Sequence, residues 1–98
     1  MATYQVLYWK DIPAQVRARD EKGRYNLPLP PRFQAAIDQA AMEAGVVGDD
    51  VYTDIYQWSE ANERPGSAQE VAEAVVNELI SKYAVIDWRK TATELKHE

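Results

Sequence analysis

From Ile12 to Arg19 the side chains alternate, with Ile12, Ala14, Val16 and Ala18 pointing one way and Gln15, Arg17 and Arg19 the other. A period of two is that of a β-strand, whose successive side chains face opposite sides of the sheet. A strand so patterned has one face in a core and the other in water, so the chain must build a sheet covered on one side. Before it, Thr3–Trp9 is rich in Thr, Tyr, Val and Trp, which suit a pleated, half-buried surface. Lys10-Asp11-Ile12-Pro13 between the two reads as a turn, with Pro13 opening the second strand where a missing N–H costs least. The two strands make an antiparallel hairpin, and the second is expected at a sheet edge.

Downstream the period changes. Residues 20–31 contain Gly23, Pro28, Pro30 and Pro31 and read as a loop, with 25–29 an extended segment. Pro31 suits the first turn of a helix. Phe33, Ile37, Ala40, Ala41 and Ala44 then recur at helical spacing until Gly45 ends the run, predicting a helix over 31–44 whose Ala36, Ala40 and Ala44 permit close approach to a sheet. Val51–Trp58 alternates again and reads as a third strand, with Asp49 and Asp50 closing the turn before it. After a loop at 62–66, Ser67-Ala68-Gln69-Glu70 is a capping box, and Val71, Val75 and Leu79 continue an apolar helix face to about residue 83. Residues 84–98 hold an apolar knot of Val85, Ile86 and Trp88, fitting a short strand or packed extension, and then a charged tail at 89–98.

The expected fold is therefore α+β: one domain over 1–98 with its ordered core at 3–88. An antiparallel sheet of three or four strands carries two helices on one face, in the order β-β-α-β-α, with strand 1 central.

Charge narrows the partners. The chain carries −5 overall, with +3 over residues 10–32 and −9 over residues 38–78. Such a balance disfavours nucleic acid, and the acidic outer faces of both helices disfavour membrane attachment. The absence of cysteine excludes disulfides and thiolate sites. MATYQVLYWK is neither a signal peptide nor a membrane span, so a cytosolic location is expected.

Catalytic constellations are sparse. The single histidine, His97, sits two residues from the end, which argues against a Ser-His-Asp triad or a histidine metal site. Gly45-Val46-Val47-Gly48 lacks the context of a phosphate-binding loop, and Asp49, Asp50 and Asp54 lack the Gly and terminal Glu of a calcium loop. No catalytic residue, metal or cofactor is expected.

Ten aromatic side chains serve this small sheet. Two helices cover one face, so an aromatic-rich face holding Tyr52, Tyr56 and Trp58 is left for the chain itself, a second copy or a ligand to cover. Trp9, Asp11, Gln15, Arg17 and Arg19 add a polar cluster at the first hairpin, and an arginine pair two apart on a strand suits a carboxylate or phosphate.

The run Tyr8-Trp9-Lys10-Asp11-Ile12-Pro13-Ala14-Gln15-Val16, then Pro31-Arg32-Phe33-Gln34-Ala35-Ala36-Ile37-Asp38 with Ala41-Met42, then Asp50-Val51-Tyr52 and Trp58, resembles a small bacterial family labelled "virulence factor". The resemblance spans roughly residues 3–83 and implies a phenotype and an accessory role rather than a chemistry. The resulting expectation is a non-enzymatic binding module, acting as a homodimer or with a protein partner. Its surface would be the aromatic sheet face and the first hairpin. The alternative is a small cofactor-independent enzyme of the dimeric α+β barrel type, with a pocket lined by Tyr52, Tyr56 and Trp58 and Asp54 as base.

Overall fold

The hairpin forms as the alternation requires. In the computed structural model, which describes residues 1–46 and 48–96, strand β1 (Ala2–Trp9) pairs antiparallel with β2 (Ile12–Asp20). Val6 lies opposite Val16, and Tyr4 opposite Ala18. The register shifts between Leu7 and Tyr8, leaving Ala14 as an extra residue on β2, and its carbonyl accepts a 3.0 Å bond from the Leu29 N–H.

β2 is not an edge strand. The segment expected as a loop contains β3 (Gly23–Pro28), which pairs along β2 and takes the edge. The Gly and Pro residues obscured it, yet each is where a strand tolerates it: Gly23 follows the turn and Pro28 is the last residue of the outermost strand. Asp20 Oδ1 closes that turn by accepting from the N–H groups of Lys22 (2.8 Å) and Gly23 (3.0 Å), while Oδ2 accepts from Ala68 N–H (2.8 Å).

Helix α1 (Pro31–Ala44) runs as predicted, and Gly45 caps it in the left-handed conformation at φ 72°. The expected third strand is corrected. Residues 49–54 form a short helix α2 (Asp49–Asp54), and only β4 (Tyr56–Trp58) is extended, so Asp49 and Asp50 open a helix rather than closing a turn. Tyr52, Ile55 and Tyr56 stand at i, i+3 and i+4 as well as in alternation, and acidic residues favour a helix's first turn.

β4 pairs with Leu7–Trp9, and β5 (Asn62–Arg64), within the second expected loop, pairs with Ala2–Tyr4. Ser59 joins them: its N–H donates to Val6 O (2.8 Å) and its hydroxyl accepts from Val6 N–H (2.9 Å). The sheet order is β3-β2-β1-β4, with β5 beside the start of β1. Strand 1 is thus internal, while the strands number five and the helices four among the described residues.

Helix α3 (Ala68–Lys82) begins with the expected capping box and lies across β1, β2 and β3. Residues 89–96, expected as part of a charged tail, join Trp88 in α4 (Trp88–Lys96), which packs along α1 and buries Thr91 and Ala92. Its charged residues occupy the solvent side of an amphipathic helix. Trp9, Ile12, Val16, Phe33, Ile37, Val71 and Leu79 belong to one continuous core. No described helix is long and apolar enough to cross a membrane.

The Asp20 clasp makes the fold acid-sensitive in a traceable way. The Ala68 amide, followed by that of Lys22, holds this carboxyl below its ordinary 3.8. A lowered folded-state value adds stability that is present above the ordinary value and is lost as pH falls below it. Asp20→Asn is therefore expected to lose less stability than the parent between pH 4 and pH 2. Urea unfolding at each pH measures this, and equal slopes would mean the clasp does not form.

Candidate functional site

Residues directly opposite in a ladder share a face, so the register sorts the sheet. Val6, Val16 and Ala18 face α3 and the core. The opposite face carries Thr3, Gln5 and Leu7 from β1, Gln15, Arg17 and Arg19 from β2, Arg24 and Asn26 from β3 and Trp58 from β4. None of these side chains is buried.

This face is richer in arginine than in aromatics. Arg19 stands opposite Arg24, and Arg17 is two residues along β2, about 7 Å away at the rise of an extended strand. Like charges directly opposite one another are destabilising. Among the described residues, neither the Arg19 nor the Arg24 side chain has a hydrogen bond or a carboxylate within ion-pair distance. Glu63 shares their row but is two strands from Arg19.

Arg17 is held differently. Its Nη2 donates to Gln5 Oε1 at 2.7 Å, and its guanidinium lies 4.0 Å from the centroid of the Trp58 ring. Gln5 is fixed in turn because its Nε2 donates to Ser59 O at 3.0 Å. Trp58 and Ser59, adjacent in sequence, thus orient Arg17 from two sides. The three arginines, with Thr3, Gln5 and Ala61, line an open trough of about 350 Å³.

Of the other expected site residues, Trp9 and Tyr56 pair on the Trp58 side of the sheet but outside the trough, and the rest lie elsewhere. Tyr52 and Tyr56 are in edge-to-face contact at 5.8 Å, but Tyr52 sits on α2, away from the open face. The Tyr52 hydroxyl donates to Asp38 Oδ1 (3.0 Å) and accepts from Gln34 Nε2 (2.8 Å), tying α2 to α1. Burial, aided by the hydroxyl of Tyr56 and the carboxylate of Asp38, pushes its pKa well above the ordinary tyrosine range. Trp9 is fully buried, and its ring N–H donates to Tyr52 O at 3.0 Å. Asp11 accepts a hydrogen bond from the buried Thr91 hydroxyl, so it serves the packing of α4.

Asp54 is exposed at the end of α2, beside an open cavity of about 440 Å³ shared with Lys10, Asp11 and Gln57. The structure does not bring Tyr52, Tyr56, Trp58 and Asp54 into one pocket. Among the described residues no cluster of His, Asp or Glu fits a metal ion. His97 lies outside the described residues, as does Val47.

Of the first-hairpin residues, Gln15, Arg17 and Arg19 share the open face, while Trp9 and Asp11 do structural work. Arg24, Gln5 and Thr3 were missed. The alternation of Arg24 and Asn26 with Tyr25 and Leu27 is the signal for the first of them, hidden by its four-residue length.

A comparison with curated proteins found no match, and neither did one with solved structures. A comparison with protein families matched residues 7–90 to the model described as "Virulence factor".

Proposed function

The chain belongs to the virulence factor family, and from that premise we propose that it is a binding module whose open sheet face docks an anionic segment of a partner protein. One observation carries this reading: Arg17, Arg19 and Arg24 stand side by side in a solvent-facing trough, and two of them have no counter-charge among the described residues. Holding opposed guanidinium groups costs the isolated chain stability. An anion seated between them offsets that cost, and arginine's planar fork suits the two oxygens of a carboxylate or phosphate.

A catalytic reading has less behind it, since the residues proposed for it are dispersed. A homodimer formed by burying aromatics also has less behind it, because on this side of the sheet Trp9 is buried and Tyr56 half-buried within the chain, and Arg17 covers one side of the exposed Trp58 ring.

Poly-L-glutamate is the probe. A chain of net charge −5 repels polyanions as a whole, so saturable binding reports a local basic site. Fluorescence titration is expected to show binding that weakens steeply with salt and falls at least about tenfold in the Arg19→Ala/Arg24→Ala pair. Binding that survives this pair would overturn the proposal. Light scattering in parallel is expected to give 11.2 kDa. A salt-sensitive larger mass, abolished by the same pair, would make a second copy the partner instead.

A further inference from the structure

Resting on the reading of this face as the binding surface, we infer that the Arg17–Arg19–Arg24 trough is a phosphomonoester site, taking a phosphoryl dianion in preference to a carboxylate.

Charge and geometry both support this. Three arginines line the trough, and the side chains of Arg19 and Arg24 have no partner among the described residues. A carboxylate offers one charge and two oxygens. A phosphomonoester carries roughly two charges at neutral pH and offers three acceptor oxygens, so each arginine can be met by an oxygen of its own.

Spacing agrees. Arg19 and Arg24 lie opposite each other across one strand pair, about 5 Å apart at Cβ. Arg17, one side-chain repeat along the same face, completes a triangle whose flexible stems can converge on a single tetrahedral group.

Arg17 is also positioned in advance. Its bond to Gln5 uses Nη2, and its guanidinium rests over the Trp58 ring, leaving its remaining N–H donors for a ligand. Less ordering is then needed on binding. The hydroxyl-bearing Thr3 lines the same trough, and a volume of about 350 Å³ exceeds what one phosphoryl group fills, leaving room for the molecule that bears it.

The test uses the whole chain, labelled with ¹⁵N, and follows amide shifts during titration with inorganic phosphate, acetate, a phosphoserine peptide and its unphosphorylated parent. Inorganic phosphate is expected to shift the amides of residues 3–5, 17–19 and 24 saturably and at least tenfold more tightly than acetate. The phosphoserine peptide is expected to bind more tightly still if the source is a protein side chain, and no better than inorganic phosphate if it is a free small molecule.

Affinity should rise as the phosphoserine loses its second proton near pH 6, a step that acetate lacks. Arg19→Lys keeps the charge but not the fork, and is expected to weaken phosphate binding several-fold. Both residues are exposed, so an unchanged melting temperature verifies that the variants fold.

Equal affinity for phosphate and acetate, or shifts unaffected by Arg19→Lys and Arg24→Ala, overturn the inference. If poly-L-glutamate still binds in that case, the wider reading stands without it. If neither probe binds, both fall.

Discussion

Trp9→Ala is expected to remove about 3–5 kcal/mol of stability, the range for emptying a buried aromatic site. Domains of this size hold about 5–15 kcal/mol in total, so this one ring accounts for a large share of the stability. Trp9 is fully buried, stacks 5.5 Å from Tyr52 and donates its ring N–H to the Tyr52 carbonyl. It therefore joins β1 to α2, which Gln34 and Asp38 bind to α1. Trp9→Phe separates the two contributions. It keeps most of the apolar area but leaves that carbonyl without its donor, for an expected loss of about 1–3 kcal/mol. Urea unfolding with an unchanged slope measures both. A loss below about 1 kcal/mol in the alanine variant would mean that the helices hold together without this ring.

Where local pattern and tertiary packing agree, the fold was legible. Val16–Arg19 alternates as read, with Val16 and Ala18 in the core, whereas the bulge at Ala14 breaks the expected alternation over 12–14 and Pro13 is buried beside Ile12. Pro31, the apolar spacing and Gly45 mark out α1, and Ser67 with Glu70 marks the start of α3. Legibility failed where the segments are short. Tyr52–Tyr56 satisfies both periods, and Tyr52 is helical where its hydroxyl bonds Gln34 and Asp38 of α1 and its ring packs on Trp9, while Tyr56 is extended beside β1. β5 has three residues and no pattern of its own, since it exists only because β1 offers an unpaired edge. The site divides in the same way. Arg17 and Arg19 can be read from one strand, but their juxtaposition with Arg24 depends on β3, and the orientation of Arg17 on Trp58 and Gln5 depends on β4 and Ser59. Such cross-strand relations have no trace in a one-dimensional pattern.

The first turn carries a second large effect. Asp11, placed by the sequence among candidate binding residues, accepts a hydrogen bond from the Thr91 hydroxyl, and its backbone carbonyl accepts from Tyr83 Oη at 3.2 Å. The hairpin turn thus gathers the end of α3 and the body of α4. Thr91 is 1% exposed, so water cannot replace the lost partner freely. Thr91→Val keeps shape and volume while deleting the donor to a carboxylate, for an expected loss of about 1.5–3 kcal/mol. Asp11→Asn retains an acceptor oxygen and should cost less, whereas Asp11→Ala should match Thr91→Val. Because the two act through one bond, the double variant Asp11→Ala/Thr91→Val should be less destabilised than the two losses added together. Hydrogen exchange gives the spatial test: α4 amides over 90–96 should lose protection first, while those of β1 and β2 change only with global stability. Additive losses, or uniform exchange along the chain, would show that α4 is held by its apolar face on α1 alone. Poly-L-glutamate binding by Thr91→Val should stay within about twofold of the parent below its melting temperature, since the arginine trough and this clasp share no residue.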